Sequence, residues 1–403
     1  MTNALPSSSS SIEPAGRTAW VVASGIVALA VAMGIGRFAF TPLLPLMLRD
    51  GALSAAAGAE WAAANYGGYL AGALTASWFA RDPQRGARLA LAGVALTTLA
   101  IAALDGAVLG MMGPLLRAAA GVFSAWALVC TSSWCLAELA RRGNARAGAW
   151  IYTGVGLGIT LAGALAWLGG RQPALWLWLE LGLLAVAGAV VAGLGHRTSA
   201  AAVAKPAELG PHGAMRRHAA LVACYGVLGF GYIVPATFLP MMARQQVADP
   251  LVFGLTWPLF GLAAAGSVAA AARWLAGWPR RRVWALAHGA MALGTALPLA
   301  TPALGSLAGS AVFVGGTFMV ATMAGLQLAR EIEPANPTRL LARMTAAFAT
   351  GQILGPSMVR ALGTVDTRGL DAVAWTHAAA TTLLVATAVW LWRQAAPTAP
   401  SPL

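Results

Sequence analysis

The sequence predicts an all-α membrane protein whose twelve transmembrane helices form two parallel six-helix repeats, and three observations predict it. Hydrophobic residues make up 59% of the chain and charged residues only 10%, with a mean hydropathy of +0.70; a soluble domain carries roughly 25% charge. Apolar runs of about 20 residues, each able to cross a ~30 Å hydrocarbon layer as a helix, recur along the whole length. One passage is also written twice: MGIGRFAFTPLLPLM at Met33 to Met47 returns 195 positions later as LGFGYIVPATFLPMM at Leu228 to Met242.

Residues 1–18 are rich in Ser and Pro and read as a disordered cytoplasmic tail. They lack the basic n-region of a secretory signal. The first span, 19–48, holds Gly34, Gly36, Arg37, Pro42 and Pro45. A charge at the bilayer centre costs roughly 2.5–3.5 kcal/mol, so each needs a partner, a water-filled cavity or an escape to the surface. Arg37 either lines a cavity, or snorkels outward, or bonds carbonyls freed by the two prolines. The second span, 61–80, carries Asn65 and Tyr66 at cavity depth, and the third is 87–104. In the fourth, 107–136, Arg117 lies about 15 Å deep, where it cannot easily snorkel. It either contacts substrate in a central cavity or holds helices of the N-terminal half together.

The fifth span, 149–170, spaces Gly154, Gly156 and Gly158 two apart. With no preceding strand and no GxGxxG frame, this predicts close helix packing through Gly154 and Gly158 rather than a dinucleotide loop. In the sixth, 174–195, Glu180 is the one acid well inside a span, about 10 Å from its outer end. Ion coupling needs such a titratable group within reach of both conformations. Residues 196–217 are polar, hold Pro206, Gly210 and Pro211, and read as a cytoplasmic linker. It joins an N-terminal bundle, 19–195, to a C-terminal bundle, 218–392, followed by a cytoplasmic tail, 393–403.

The seventh span, 218–243, repeats the first with Gly229, Gly231, Pro235 and Pro240 and adds Tyr225 and Tyr232. Prolines delete backbone hydrogen bonds, so those near the outer ends of spans one and seven predict bends, either gating hinges together with the four glycines or static kinks. Spans eight to twelve are 253–276, 283–300, 304–329, 344–362 and 372–392. His288 and His377 fall in the ninth and twelfth and join Glu180 as coupling candidates. Gln352 in the eleventh is polar at cavity depth.

The offset of 195 also lays Leu109, Gly110, Gly121 and Phe123 of the fourth span on Leu304, Gly305, Gly316 and Phe318 of the tenth. At this register Arg37 meets Tyr232. An architectural requirement should appear in both halves, whereas a ligand for an asymmetric substrate should not. Parallel six-helix repeats around a midplane site describe one kind of secondary transporter, whose halves rock about that site.

The formal charge of +13 raises the possibility of nucleic-acid binding. In a twelve-span topology, however, 19 of the 26 basic residues fall in loops on one side, against Arg49, Arg171, Arg244 and Arg368 on the other. That asymmetry is the positive-inside signal, and it puts both termini in the cytoplasm. No aromatic interleaving marks a nucleic-acid surface. Cys130, Cys135 and Cys224 lie in spans as packing residues, without metal spacing. Five His and thirteen acids, scattered mainly in loops, make no catalytic constellation, so the chain does not read as an enzyme.

Twelve spans, a basic central loop and LLRAAAGVFSA at Leu115 to Ala125 resemble the major facilitator superfamily, whose fourth helix commonly places a Gly four positions after an Arg, as Arg117 and Gly121 do. GIGRFAFTPLLPLM at Gly34 to Met47 and CYGVLGFGYIVPATFLP at Cys224 to Pro240 are similar to the first and seventh helices of its YbfB/YjiJ-like branch. The loop after the second helix departs from the family: the usual GxxxDRxGRR is reduced to ASWFARDPQRGAR. The resemblance implies a monomeric secondary transporter of the cytoplasmic (inner) membrane, with a small-molecule substrate and no bound cofactor. Arg37 and Arg117 would make a positive cavity suited to an organic anion. Tyr225 and Tyr232 would face them, with Asn65, Tyr66 and Gln352 alongside. The alternative is a transporter-like sensor that binds without net transport.

Overall fold

The computed structural model describes residues 15–196, 218–246, 255–301, 303–334, 337–363 and 370–395. The linker over 197–217, most of the N-terminal tail (1–14) and the end of the C-terminal tail (396–403) lie outside the described residues. Among the described residues, twelve helices follow in order. Helix α1 occupies 15–49, as an α-helix Ala15–Leu29, a π-helical stretch Ala30–Phe38 and an α-helix Phe40–Arg49. Next come α2 (Ala55–Phe79), α3 (Pro83–Ala103), α4 (Gly106–Arg141), α5 (Ala145–Leu168, with a 3-10 first part Ala145–Tyr152) and α6 (Ala174–His196). The second set is α7 (Ala219–Gln246), α8 (Thr256–Trp274), α9 (Arg280–Ala300), α10 (Leu304–Ile332), α11 (Thr338–Leu362) and α12 (Ala372–Arg393).

Helices α2 and α11 each begin six residues before their apolar runs. Ser54 caps α2 by accepting from the Ala57 N–H at 3.2 Å. Helix α11 starts at Thr338 and takes in Arg339 and Arg343. Residues 15–18, expected in the tail, form the first turn of α1. Helix α4 runs past its apolar stretch to Arg141, and its last turn pairs Glu138 with Arg141 and Arg142 at 2.7 and 2.6 Å. Gly143, at φ +71°, turns the chain into α5.

Among the described residues, nine helices are long and apolar enough to span a membrane. The other three, α2, α8 and α11, have a common position. Helix α2 packs against α11, and α5 against α8, forming the main seams between the two six-helix sets. Helices shielded from lipid by a partner can carry lower hydropathy. Their seams close through small residues: Gly156 meets the backbone of Gly261 and Ala265, and Ala76 and Ala80 cluster with Ala342. At the other extreme, only 33% and 28% of the spanning windows of α6 and α12 are buried, so these two form the lipid-facing flanks.

The duplicated passages occupy equivalent places. In α1, Gly34 lies against the backbone of Gly158 in α5; in α7, Gly229 lies against the backbone of Phe348 in α11. A Cβ at either glycine would collide with main chain. The GxGxG run of α5 thus serves two neighbours, Gly154 and Gly158 toward α1 and Gly156 toward α8. Gly36 and Gly231 are also close-approach positions, against Ser124 and Leu384.

The expected proline bends differ between the repeats. Helix α7 continues as one α-helix through Pro235 and Pro240, whereas α1 changes its backbone geometry ahead of Pro42 and Pro45. Cys130, Cys135 and Cys224 are buried free thiols.

Candidate functional site

The π-helical stretch of α1 ends at Arg37 and Phe38. Such wide turns are rare and are frequent at functional sites. Pro42 supplies no N–H, so the preceding turn lacks one ladder donor. The guanidinium of Arg117 ties down this stretch from α4: Nη1 donates to the Gly36 carbonyl at 3.0 Å and Nη2 to the Arg37 carbonyl at 3.1 Å. Main-chain carbonyls of this stretch are thus bonded by Arg117, while the Arg37 side chain bonds Gln352 instead. Asn65 extends the tie by donating from α2 to the Arg117 carbonyl at 2.9 Å. The Arg117 cation also lies over the Phe40 ring, 5.0 Å from its centroid. Hydrogen bonds to charged groups contribute about 1.5–3 kcal/mol each. Two of them, about 3–6 kcal/mol together, are enough to offset the roughly 2.5–3.5 kcal/mol insertion penalty.

With its main chain held in this way, Arg37 sends its side chain across to the other six-helix set. Its Nη2 donates to Gln352 Oε1 of α11, and Gln352 Nε2 donates to the Tyr232 hydroxyl of α7 at 2.5 Å. Arg37 and its repeat-mate Tyr232 thus converge on one amide. Both are buried, as is Gln352 at 0% exposure. The Arg37 guanidinium carbon lies 3.7 Å from the Tyr69 ring centroid and 5.8 Å from that of Tyr66. Its Nε and Nη1 have no hydrogen-bond partner among the described residues, and no carboxylate pairs with it there. Of the two arginines, Arg37 is the one whose charge is left under-compensated.

An aromatic wall stands beside this cluster. Tyr232 stacks between Phe318 and Phe348, with centroids 5.1 and 5.5 Å away and planes within 15°. Phe38 meets both Tyr232 and Phe318 edge-on. A narrow gap runs along the wall, lined by Met33, Phe38, Tyr69, Phe318, Met319 and Phe348 among others. Tyr225 borders its far end, 5.6 Å from Phe348 and 5.8 Å from Trp284.

Of the residues singled out from sequence, Arg37, Tyr66, Tyr232 and Gln352 come together; Arg117 and Asn65 back them, and Tyr225 stands further along the gap. The two histidines lie elsewhere, in the seam between α9 and α12. His288 bonds Trp284 and Thr387, both at 2.8 Å, and His377 bonds the Thr295 carbonyl at 3.1 Å. Glu180 is half-buried on the flank helix α6 and makes no hydrogen bond or ion pair with the Arg37 cluster. Sequence reasoning passed over Tyr69, Phe318 and Phe348. Two of them carry a signal in the sequence: Tyr69 is three residues after Tyr66 and shares its helix face, and Phe318 belongs to the repeat match with Phe123.

A sequence profile for the family described as "Uncharacterised MFS-type transporter YbfB" matches residues 29–391. No curated protein matches the chain. Among solved structures, the human organic anion transporter MFSD10 (TETRAN) superposes with a TM-score of 0.65 at 15% identity, covering 94% of this chain and 100% of that one. A mutant of the nucleoside transporter NupG gives 0.60 at 14% identity, with coverage of 93% and 99%. At such identities the likeness is one of fold.

Proposed function

Since the chain belongs to the family of MFS-type transporters exemplified by YbfB, we propose that it is a secondary transporter that carries a small organic anion across the cytoplasmic membrane by alternating access. The single observation behind this is Arg37: a buried cation that bridges the two six-helix sets, lacks a carboxylate partner among the described residues and keeps two nitrogens unbonded. Substrate would meet Arg37, Gln352 and Tyr232, with Tyr66 at the edge. Arg117 and Asn65 would fix the backbone that presents Arg37. As the helix sets rock, the Arg37–Gln352 bond must break on one side of the cycle, and an anion bound to Arg37 compensates for that loss. The basic loops favour both termini lying in the cytoplasm. Family membership favours transport over the sensor alternative.

The test is uptake into proteoliposomes of labelled small organic anions against neutral solutes. The parent should show saturable anion uptake. Removing a charge-assisted contact of about 1.5–3 kcal/mol in Arg37→Gln should weaken anion binding roughly 10- to 150-fold. Equal uptake of neutral solutes, or undiminished anion uptake by Arg37→Gln, overturns the reading. Glu180, His288 and His377 are the candidates for proton coupling, and an imposed pH gradient that drives Glu180→Gln as strongly as the parent removes the first of them.

A further inference from the structure

We infer that the transported anion is a flat aromatic monocarboxylate. This rests on the anion reading above and adds the charge number and shape of the substrate. The charge number follows from the count of free cations. Arg117 spends both terminal nitrogens on carbonyls and keeps only Nε unbonded, whereas Arg37 makes one bond, to Gln352, and keeps Nε and Nη1 unbonded, so Arg37 is the guanidinium of this cluster open to a ligand. A second negative charge would be desolvated there without a counter-charge. The hydrogen-bonding capacity is equally small. Tyr232 accepts from Gln352 and keeps its O–H to donate, so one carboxylate can take Arg37 on one oxygen and the phenol on the other. Sugars and other polyhydroxylated solutes would leave most of their hydroxyls unpaired against Met33, Phe38, Phe318, Met319 and Phe348.

Shape follows from the wall. Phe260, Phe318, Tyr232 and Phe348 form a row of rings with centroids 5.1–5.5 Å apart and interplanar angles of 30° or less. Phe38 and Tyr69 face the same gap. A planar ring attached to the carboxylate extends that row face-on or edge-on. A puckered ring of equal carbon count presents axial hydrogens instead and loses the ring–ring contact.

The probes are benzoate, its puckered counterpart cyclohexanecarboxylate, its neutral isostere benzamide, and the dianion malate, each titrated against the purified full chain in nanodiscs by intrinsic tryptophan fluorescence. Benzoate should bind about tenfold more tightly than cyclohexanecarboxylate and at least as far ahead of benzamide and malate. Phe318→Leu should reduce the benzoate to cyclohexanecarboxylate ratio toward one while keeping the preference for both over benzamide. Tyr232→Phe should weaken both carboxylates together and leave that ratio unchanged. These are ratios between ligands on the same sample, so a partly unfolded variant does not alter them. If both carboxylates bind equally to the parent, or malate matches benzoate, the aromatic monoanion is wrong and the anion reading stands. If benzamide binds as well as benzoate, the anion reading itself fails.

Discussion

Replacing Gln352 by Glu installs an internal anion where a substrate carboxylate would bind. In the parent, Arg37 donates to a neutral amide oxygen, an interaction between a charged donor and a neutral acceptor of about 1.5–3 kcal/mol. A carboxylate in the same place, with charge centres about 4 Å apart, interacts by about 4 kcal/mol at an effective dielectric of 20. The difference, about 1–2.5 kcal/mol, is what an incoming anion must overcome, and it corresponds to a roughly 5- to 60-fold loss of anion affinity. Desolvating the new carboxylate offsets part of the gain, so the melting temperature should change little. Equilibrium binding of a labelled anion to purified Gln352→Glu and parent protein, with a melting curve on each, is the assay. A parental affinity in Gln352→Glu refutes the argument, because it means Arg37 is not the group that receives the anion.

Two further variants test the support around the site. Arg117→Met removes both carbonyl bonds from the turn ending at Arg37 but also the burial of a charge. It should therefore lower stability by about 1–3 kcal/mol, read as a lower melting temperature, while the folded fraction binds anions within about threefold of the parent. A loss of affinity with unchanged melting would mean that Arg117 contacts substrate itself. Gly158→Val and Gly351→Val put side chains into main-chain contacts of α5 with α1 and of α11 with α7. Overpacking costs about 1–3 kcal/mol, and the duplication requires both variants to be impaired in melting. A neutral result at either position would break the equivalence of the two crossings.

Much of the architecture was legible because it is written in one dimension. Lipid demands long apolar runs, and all twelve runs became helices. A repeat at constant offset demands equivalent packing, and Gly34 and Gly229 show it. Pro42 and Pro45 were legible as a local disturbance of α1, but not its form, because a π-helical stretch depends on how the whole helix is accommodated by its neighbours. The division of labour between the arginines was not legible. Both are guanidiniums in spans, and hydropathy treats them alike.

The residue pattern alone therefore determined the membrane class, the number of helices, the duplication and the short list of buried charges, since each is set by the chain's own exchange with lipid and water. Tertiary structure decided which charge is bound to the backbone and which reaches across to the other six-helix set. Arg37 and Gln352 are 315 residues apart, and no local propensity relates them. They meet because α1 and α11 pack in opposite six-helix sets, which places a side chain from each at the centre of the bundle.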